Sequence, residues 1–423
     1  MFLKTLILIL LLPAFTEAQI LLPIKDGGPG ILTVGDFNKD GKDDVLTWGW
    51  IRNVCALGQA KSPYLRDAKT QPAIPIYFDN LMDAPVFHED MLWVPYKTPF
   101  STLVDIYSFD LVKESWKWKG GFNVTGTVNG QINTLRICDY HKDVDGDRKK
   151  DVMVVWGQTT HTGGILEVGI GGSYKGIQKT LKFSVKGKEA QVVDIMRCES
   201  AFEPGTSYQI WFSGGHKFPN EGFGTMILKD GNPPTITSRI WAQKGPNLRN
   251  HWQAAYGGII YGKFGILPTG KVPMIHLNIG PSALFGLNAT APWVGNSGQW
   301  IETTPTSFAM PDATADYDGD GLDECVLALD VTGRNLYSGD LIIIGDPSAN
   351  RPYRQTFRMS NKNNPYASAQ FGATGDFDGD GDPDLLLSLT NTSQPGRYWD
   401  GHLAYFQCNR SKGKGKPALT RLY

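Results

Sequence analysis

Four segments of the chain set oxygen-bearing side chains at one repeating spacing. They are Asp36-Phe37-Asn38-Lys39-Asp40-Gly41-Lys42-Asp43-Asp44, Asp143-Val144-Asp145-Gly146-Asp147-Arg148-Lys149-Lys150-Asp151, Asp316-Tyr317-Asp318-Gly319-Asp320-Gly321-Leu322-Asp323-Glu324 and Asp376-Phe377-Asp378-Gly379-Asp380-Gly381-Asp382-Pro383-Asp384. Each reads D-x-D/N-x-D-x-x-x-D/E. A hard cation such as Ca2+ seeks about six to eight oxygens at about 2.3–2.6 Å. A tight loop turns side chains 1, 3, 5 and 9 toward one point, and the carbonyl of residue 7 adds a further oxygen. The expected ligand sets are therefore Asp36, Asn38, Asp40 and Asp44 with the Lys42 carbonyl; Asp143, Asp145, Asp147 and Asp151 with that of Lys149; Asp316, Asp318, Asp320 and Glu324 with that of Leu322; and Asp376, Asp378, Asp380 and Asp384 with that of Asp382. With no cation, several carboxylates at such range repel one another. Four loops in one phase predict calcium binding.

The loops differ in quality. Those at 316 and 376 carry full acidic sets and glycine at position 6, where a positive φ folds the loop. The loop at 36 has Asn38 at position 3, which keeps an oxygen and drops a charge. The loop at 143 has Arg148 in place of the glycine, so its geometry is the least favourable. An EF-hand begins the same way but needs a bidentate Glu at position 12 and flanking helices. Position 12 is Thr47, Val154, Leu327 and Leu387. The flanks are apolar and β-branched, as in Val152-Met153-Val154-Val155 and Leu385-Leu386-Leu387, so each loop is expected to join two adjacent strands.

Successive loops begin 107, 173 and 60 residues apart. If the last gap is one repeat, the others hold two and three, which predicts seven repeats of about 57 residues. Val192-Val193-Asp194-Ile195-Met196-Arg197 with Tyr208-Gln209-Ile210-Trp211-Phe212 keeps the strand–loop–strand outline without ligands. So does Tyr261-Gly262-Lys263-Phe264-Gly265-Ile266-Leu267-Pro268 with Met274-Ile275-His276-Leu277. The second repeat falls somewhere in 75–125. Four short strands and their turns fill such a repeat, which is one blade of a β-propeller. The fold class expected is all-β: a seven-bladed propeller of four-stranded antiparallel blades, spanning 19–423 as a single domain. A terminal strand near Ile20–Ile24 is expected to complete the last blade and leave no open edge.

These residues resemble the FG-GAP family, also described as VCBS-type repeats, found in the head of integrin α chains and in secreted proteins. Phe371-Gly372-Ala373-Thr374-Gly375-Asp376, running into its ion loop and Leu385-Leu386-Leu387, carries the resemblance best. Phe308 with Asp316 is looser, and the second half of the family's motif is not visible. The resemblance implies a seven-bladed propeller with calcium in hairpin loops on one face. It also implies that the ions are mostly structural and that partners often bind elsewhere.

The chain has 423 residues and a net charge of -1, which excludes a generally basic nucleic-acid binder. At 41% hydrophobic and 11% aromatic it is too apolar for a disordered chain. Residues 1–18 read as a secretory signal peptide, with the apolar run Leu6–Leu12 and cleavage before Gln19. No later stretch is long enough for a transmembrane segment. The expected localisation is secreted and extracellular. Four sequons, at Asn123, Asn288, Asn391 and Asn409, are candidate N-glycan sites. Five cysteines (Cys55, Cys138, Cys198, Cys325 and Cys408) fit no zinc module, and up to two disulfides are expected.

No catalytic motif is visible. Gly280-Pro281-Ser282-Ala283-Leu284 fails the nucleophile-elbow pattern at its last position. His276, in an apparent strand, is read as a packed or satisfied histidine and His141, two residues before Asp143, as solvent-facing; carboxylates outside the loops include Glu89-Asp90, Glu199 and Glu203. Most of the tryptophans are expected between blades. The reading is a binding or adhesion module for an extracellular protein or glycan. One alternative is a carbohydrate-active, polysaccharide-lyase-like enzyme using a propeller groove and calcium. Another is a structural component of an extracellular assembly.

Overall fold

The computed structural model describes residues 22–24, 30–48, 53–61, 64–69, 80–126, 131–160, 163–172, 176–185, 191–199, 206–213, 223–229, 235–240, 256–262, 272–277, 283–286, 307–309, 313–329, 341–344, 354–357, 366–391, 401–408, 410 and 420–421. The readings placed on 1–18, Asn288, Asn409 and 263–268 lie outside these residues, as does the side chain of Asn391.

Every described element longer than one turn is a strand, as the short β-branched runs between Gly- and Pro-rich turns predict. The strands form small antiparallel sheets, each a meander in chain order. The first holds β2 (Gly30–Gly35), β3 (Asp44–Trp48), β4 (Asn53–Gly58) and β5 (Leu65–Asp67). The second holds β6 (Val86–His88), β7 (Met91–Lys97), β8 (Thr102–Asp110) and β9 (Ser115–Val124). The third holds β10 (Gln131–Asp139), β11 (Val152–Thr160), β12 (Gly163–Gly172) and β13 (Gly176–Val185). The fourth holds β14 (Gln191–Glu199), β15 (Thr206–Ser213), β16 (Phe223–Lys229) and β17 (Thr235–Ile240). Next comes a sheet of three described strands, β18 (Tyr256–Gly262), β19 (Val272–Leu277) and β20 (Ala283–Gly286). It is followed by β21 (Ser307–Ala309), β22 (Cys325–Leu329), β23 (Leu341–Ile344) and β24 (Arg354–Phe357).

The last sheet joins both ends of the chain. It runs β25 (Tyr366–Gly375), β26 (Asp384–Asn391) and β27 (Gly401–Gln407). The outer edge of β27 is then covered twice. β1 (Leu22–Ile24) pairs Leu22 with Leu403 and Ile24 with Gly401, and β28 (Thr420–Arg421) pairs Thr420 with Gln407 and Arg421 with Phe406. The expectation of an N-terminal strand on the last sheet holds at Leu22–Ile24.

First strands meet first strands. β2 lies on β6, β6 on β10, β10 on β14, β18 on β21, and β25 returns to β2. Later strands of each sheet step outward. This is a propeller arrangement. Its cores lie at the seams between sheets. Phe37, Leu46, Leu57, Leu92, Val94, Tyr107 and Trp116 fill the first seam. Trp93, Ile106, Leu135, Val152, Val154 and Trp156 fill the next. Val45, Leu65, Phe377, Leu386 and Tyr405 fill the seam between last and first. Trp93, Trp116 and Trp156 are buried as expected between sheets, whereas Trp118 is 59% exposed.

One expectation gains its place, within 75–125, and one needs correction. The second repeat is phased at β6–β9, where the hairpin between first and second strands has shrunk to Glu89-Asp90. No acidic loop lies there, so no acidic spacing marked it. Cys55, Cys138 and Cys408 are buried thiols rather than disulfide halves, so two disulfides are not formed. Buried, they pack as small apolar side chains. Among the described residues no helix is long and apolar enough to cross a membrane.

Candidate metal centres

Each acidic loop joins the first strand of its sheet to the second: 36–43 between β2 and β3, 143–151 between β10 and β11, 316–324 between β21 and β22, and 376–383 between β25 and β26. All four therefore sit at the same end of their sheets.

One hydrogen-bond pattern folds all four. The position 1 carboxylate accepts N–H groups from the far side of the turn. Asp36 takes those of Asp40 (3.0 Å) and Gly41 (2.9 Å), and Asp143 those of Gly146 (2.6 Å) and Arg148 (2.7 Å). Asp316 takes those of Gly319 and Gly321, and Asp376 those of Gly379 and Gly381. Position 3 accepts from position 5, in Asn38, Asp145, Asp318 and Asp378. Position 5 accepts from position 7: Asp40 from Lys42, Asp147 from Lys149, Asp320 from Leu322 and Asp380 from Asp382. Short acidic side chains cap their own turn in this way, and the loop curls with its oxygens inward.

Carboxylate oxygens converge within 4.8 Å of one another in three loops: Asp143, Asp145 and Asp151; Asp316, Asp318 and Asp320; Asp376, Asp378 and Asp384. In the loop at 36, Asn38 supplies an amide oxygen at position 3, and its Nδ2 donates to Asp40 (3.3 Å).

The position 9 carboxylates are the most enclosed: Asp44, Asp151, Glu324 and Asp384 are at most 2% exposed. Asp44 accepts from the Phe37 and Gly58 N–H groups, both at 2.8 Å. Asp151 accepts from Val144 (2.6 Å) and Glu324 from Tyr317 (2.6 Å). Asp384 accepts from the Tyr405 hydroxyl (2.6 Å) and the Cys408 N–H (2.8 Å). Burial, with help from the neighbouring loop carboxylates, pushes all four up: Asp44 and Asp384 to about 7, Asp151 to about 6 and Glu324 to about 8. Such groups are held at a cost that an opposite charge would remove. The donor set, all oxygen and mostly carboxylate, fits a hard divalent cation.

Two features escaped the sequence reading. Position 2 is an aromatic plug in three loops, with Phe37, Tyr317 and Phe377 at most 2% exposed; in the loop at 143 it is Val144, 38% exposed. Position 4 as well as position 6 has a positive φ: Lys39 and Gly41, Gly146 and Arg148, Gly319 and Gly321, Gly379 and Gly381. The D-G-D-G runs were the available signal.

Adjacent loops are tied together. The Asp376 N–H donates to Asp43 Oδ2 and the Asp43 N–H to the Asp376 carbonyl, both at 2.8 Å. Gly58 lets this seam close, since a Cβ there would fall 2.5 Å from the Asp43 carbonyl oxygen. Arg410 bridges the loops at 316 and 376 through the Asp316 carbonyl and Asp382. Lys39 pairs with Asp90 (2.5 Å), and His88 Nε2 lies 3.2 Å from the Lys150 carbonyl. The His141 backbone N–H donates to the Tyr208 hydroxyl in the fourth sheet (2.9 Å), and its ring stacks on that of Tyr208, so His141 is half-buried at a sheet seam rather than solvent-facing as expected.

Beside the loop at 143, a pocket of about 120 Å3 is lined by Glu89, Met91, Trp93, Ile106, Asp147, Lys149, Lys150 and Asp151.

No family model matches the chain, and no curated protein matches it. Among solved structures it is similar to a mutant α-L-arabinofuranosidase from Fusarium graminearum in complex with an iminosugar inhibitor. That match has 11% identity and a TM-score of 0.46, covering 76% of this chain and 91% of the other. It is also similar to a structural-genomics target from Lactobacillus plantarum, at 9% identity and a TM-score of 0.45, covering 88% and 91%. Likenesses this remote say nothing of what this chain binds or does.

Proposed function

We propose that this chain is a secreted, calcium-stabilised propeller of seven blades that serves as an extracellular binding module for a protein or glycan. The observation that carries this reading is the shared placement of four self-capped acidic loops at one end of their sheets, each over a buried carboxylate. Calcium would be held by Asp36, Asn38, Asp40 and Asp44; by Asp143, Asp145, Asp147 and Asp151; by Asp316, Asp318, Asp320 and Glu324; and by Asp376, Asp378, Asp380 and Asp384. Carbonyls of Lys42, Lys149, Leu322 and Asp382 would complete the sets. The ion supplies charge that the buried acids otherwise lack. Because the loops also tie neighbouring sheets together, its role is to stiffen the ring, which leaves the outer surfaces for a partner. The first-strand contacts and the return of β25 to β2 support ring closure.

The lyase-like alternative asks for an open groove beside an ion and a basic residue. Lys149 and Lys150 do lie beside Asp147 and Asp151, but about 120 Å3 is well below the ~300 Å3 of an ordinary ligand pocket. The binding reading is tested by metal analysis of the purified protein and by a glycan array run with and without chelator. Depolymerisation of an acidic polysaccharide would overturn it, as would a protein that takes up no calcium.

A further inference from the structure

The hairpin between β8 and β9 carries a surface that the loops do not explain. Its turn, 111–114, exposes Leu111 by 55% and Val112 by 85%. Turn tips ordinarily carry Gly, Asn, Asp or Ser. This one is also held rigid. Asp110 Oδ1 accepts the N–H groups of Val112 and Lys113, both at 3.0 Å. At its far end Glu114 accepts two hydrogen bonds from Arg66 of the first sheet, at 2.8 and 2.9 Å, and one from the Lys69 N–H at 2.8 Å. The two aliphatic side chains are thus presented on a fixed support.

Lys113 follows them in the turn, and Lys117 and Lys119 stand about 7 and 14 Å up β9 from Ser115. Lys113, Lys117 and Lys119 are all exposed, and none has an ion pair with a described residue. Trp118, between two of them, is 59% exposed. A strand rises about 3.4 Å per residue, so Trp118 stands about 10 Å above Ser115 at the base of the turn. β9 is the outermost strand of its sheet. An aliphatic tip, with exposed lysines and a tryptophan about 7–14 Å up the edge strand, has the composition of a bilayer-docking surface: apolar side chains for the acyl region, and cations and an aromatic ring together at the headgroup level. An anionic glycan would use Trp118 and the lysines and leave Leu111 and Val112 in water.

We propose that the β8–β9 hairpin docks this protein on an anionic lipid surface, with Leu111 and Val112 inserted, Lys113, Lys117 and Lys119 on the headgroup phosphates, and Trp118 at the interface. The β8–β9 and β6–β7 turns lie at the same end of their antiparallel sheet, so docking turns the ion-loop rim toward the membrane. The proposal does not rest on calcium.

The test is co-sedimentation of the full mature chain, loaded with calcium and then desalted so that no free ion is left to bridge protein and lipid, with phosphatidylcholine vesicles with and without phosphatidylserine. The protein should bind the phosphatidylserine vesicles, and salt should weaken the binding. L111S/V112S should weaken it about tenfold or more. K113E/K117E should weaken it about 25-fold or more, since each headgroup-facing lysine is worth about fivefold. Both variants alter exposed side chains, and each should retain the wild-type melt. Vesicle binding that survives both variants would overturn the proposal, as would no vesicle binding at all. Heparin capture that needs the lysines but not Leu111 and Val112, without vesicle binding, would assign the patch to a glycan and overturn it as well.

Discussion

Asp43 and Asp376 are 333 residues apart in the chain and hold each other by two hydrogen bonds of 2.8 Å, one from each backbone N–H. They join the last sheet to the first at the level of the acidic loops. Burial, together with the charges of Asp376 and Asp36, raises the Asp43 carboxyl, so the contact is made at some electrostatic cost. D43A should leave the Asp376 N–H without its partner and destabilise the fold by about 2 kcal/mol. D43N, which keeps an acceptor oxygen, should lose less. Thermal melts of both variants in excess calcium check the order.

Chelation should lower the melting temperature, because an ion bound only by the folded state stabilises it by mass action. Asp380→Ala, in a loop with an aromatic plug and two glycines at positive φ, should reduce that calcium-dependent shift more than Asp145→Ala. The loop at 143 has an exposed Val144 and a non-glycine at position 6. Scanning fluorimetry across a calcium titration reads both. Equal shifts would remove the ranking of the loops.

The acidic spacing was legible because ligand chemistry fixes residue type and distance together. Ligand-free repeats were legible only as apolar runs: Val192–Arg197 and Tyr208–Phe212 fall within β14 and β15. The second repeat was not, because a two-residue hairpin, Glu89-Asp90, replaces the loop and both residues take a positive φ without glycine. Type I′ hairpins usually announce themselves with Asn-Gly. Arg410 and Cys408, which lock the loop at 316 to the last sheet, act from more than 80 residues away, and no local pattern reports such a contact.

Arg148 sits at φ 70°, where its counterparts Gly41, Gly321 and Gly381 sit at 83°, 92° and 86°. The left-handed region costs a side-chain-bearing residue about 1–2 kcal/mol, part of which glycine returns in the unfolded chain. R148G should therefore stabilise by about 1 kcal/mol, and G381A should destabilise by a similar amount although nothing lies within 4 Å of the added Cβ. Chemical denaturation of the two variants should show opposite signs.

Glu114 supplies a pH test. The Arg66 guanidinium, with the Lys69 N–H, holds its carboxyl down to about 2 from an ordinary 4.5. A depressed folded-state value means stabilisation that is complete above pH 4.5 and is lost as pH falls from there toward 2. E114Q has no such ionisation. The difference in stability between wild type and E114Q, measured at fixed calcium, should be constant from pH 7 to about 5 and then shrink as pH falls through that window. A difference that stays flat to pH 2.5 would mean that the Arg66 pair contributes nothing to stability.

The seam at the chain ends gives the last prediction. Leu22–Ile24 covers Gly401–Leu403 of β27, and Thr420–Arg421 covers only Phe406 and Gln407. Without β1, the backbone groups of residues 401–403 face water along an open edge, and Leu403, 2% exposed in the last seam core, loses its cover. That core is shared with Val45 and Leu65 of the first sheet, so loosening β27 loosens both. Deleting 19–25 should therefore lower the melt of the whole molecule rather than fray one sheet, and should promote association through the exposed edge. P23A is the milder control. It lies opposite His402, and proline carries no N–H to donate, so the variant keeps the pairing and should melt as wild type. A single lowered transition in the deletion, with larger species on size exclusion, is the expected result; an unchanged melt would show that β1 does not close the ring.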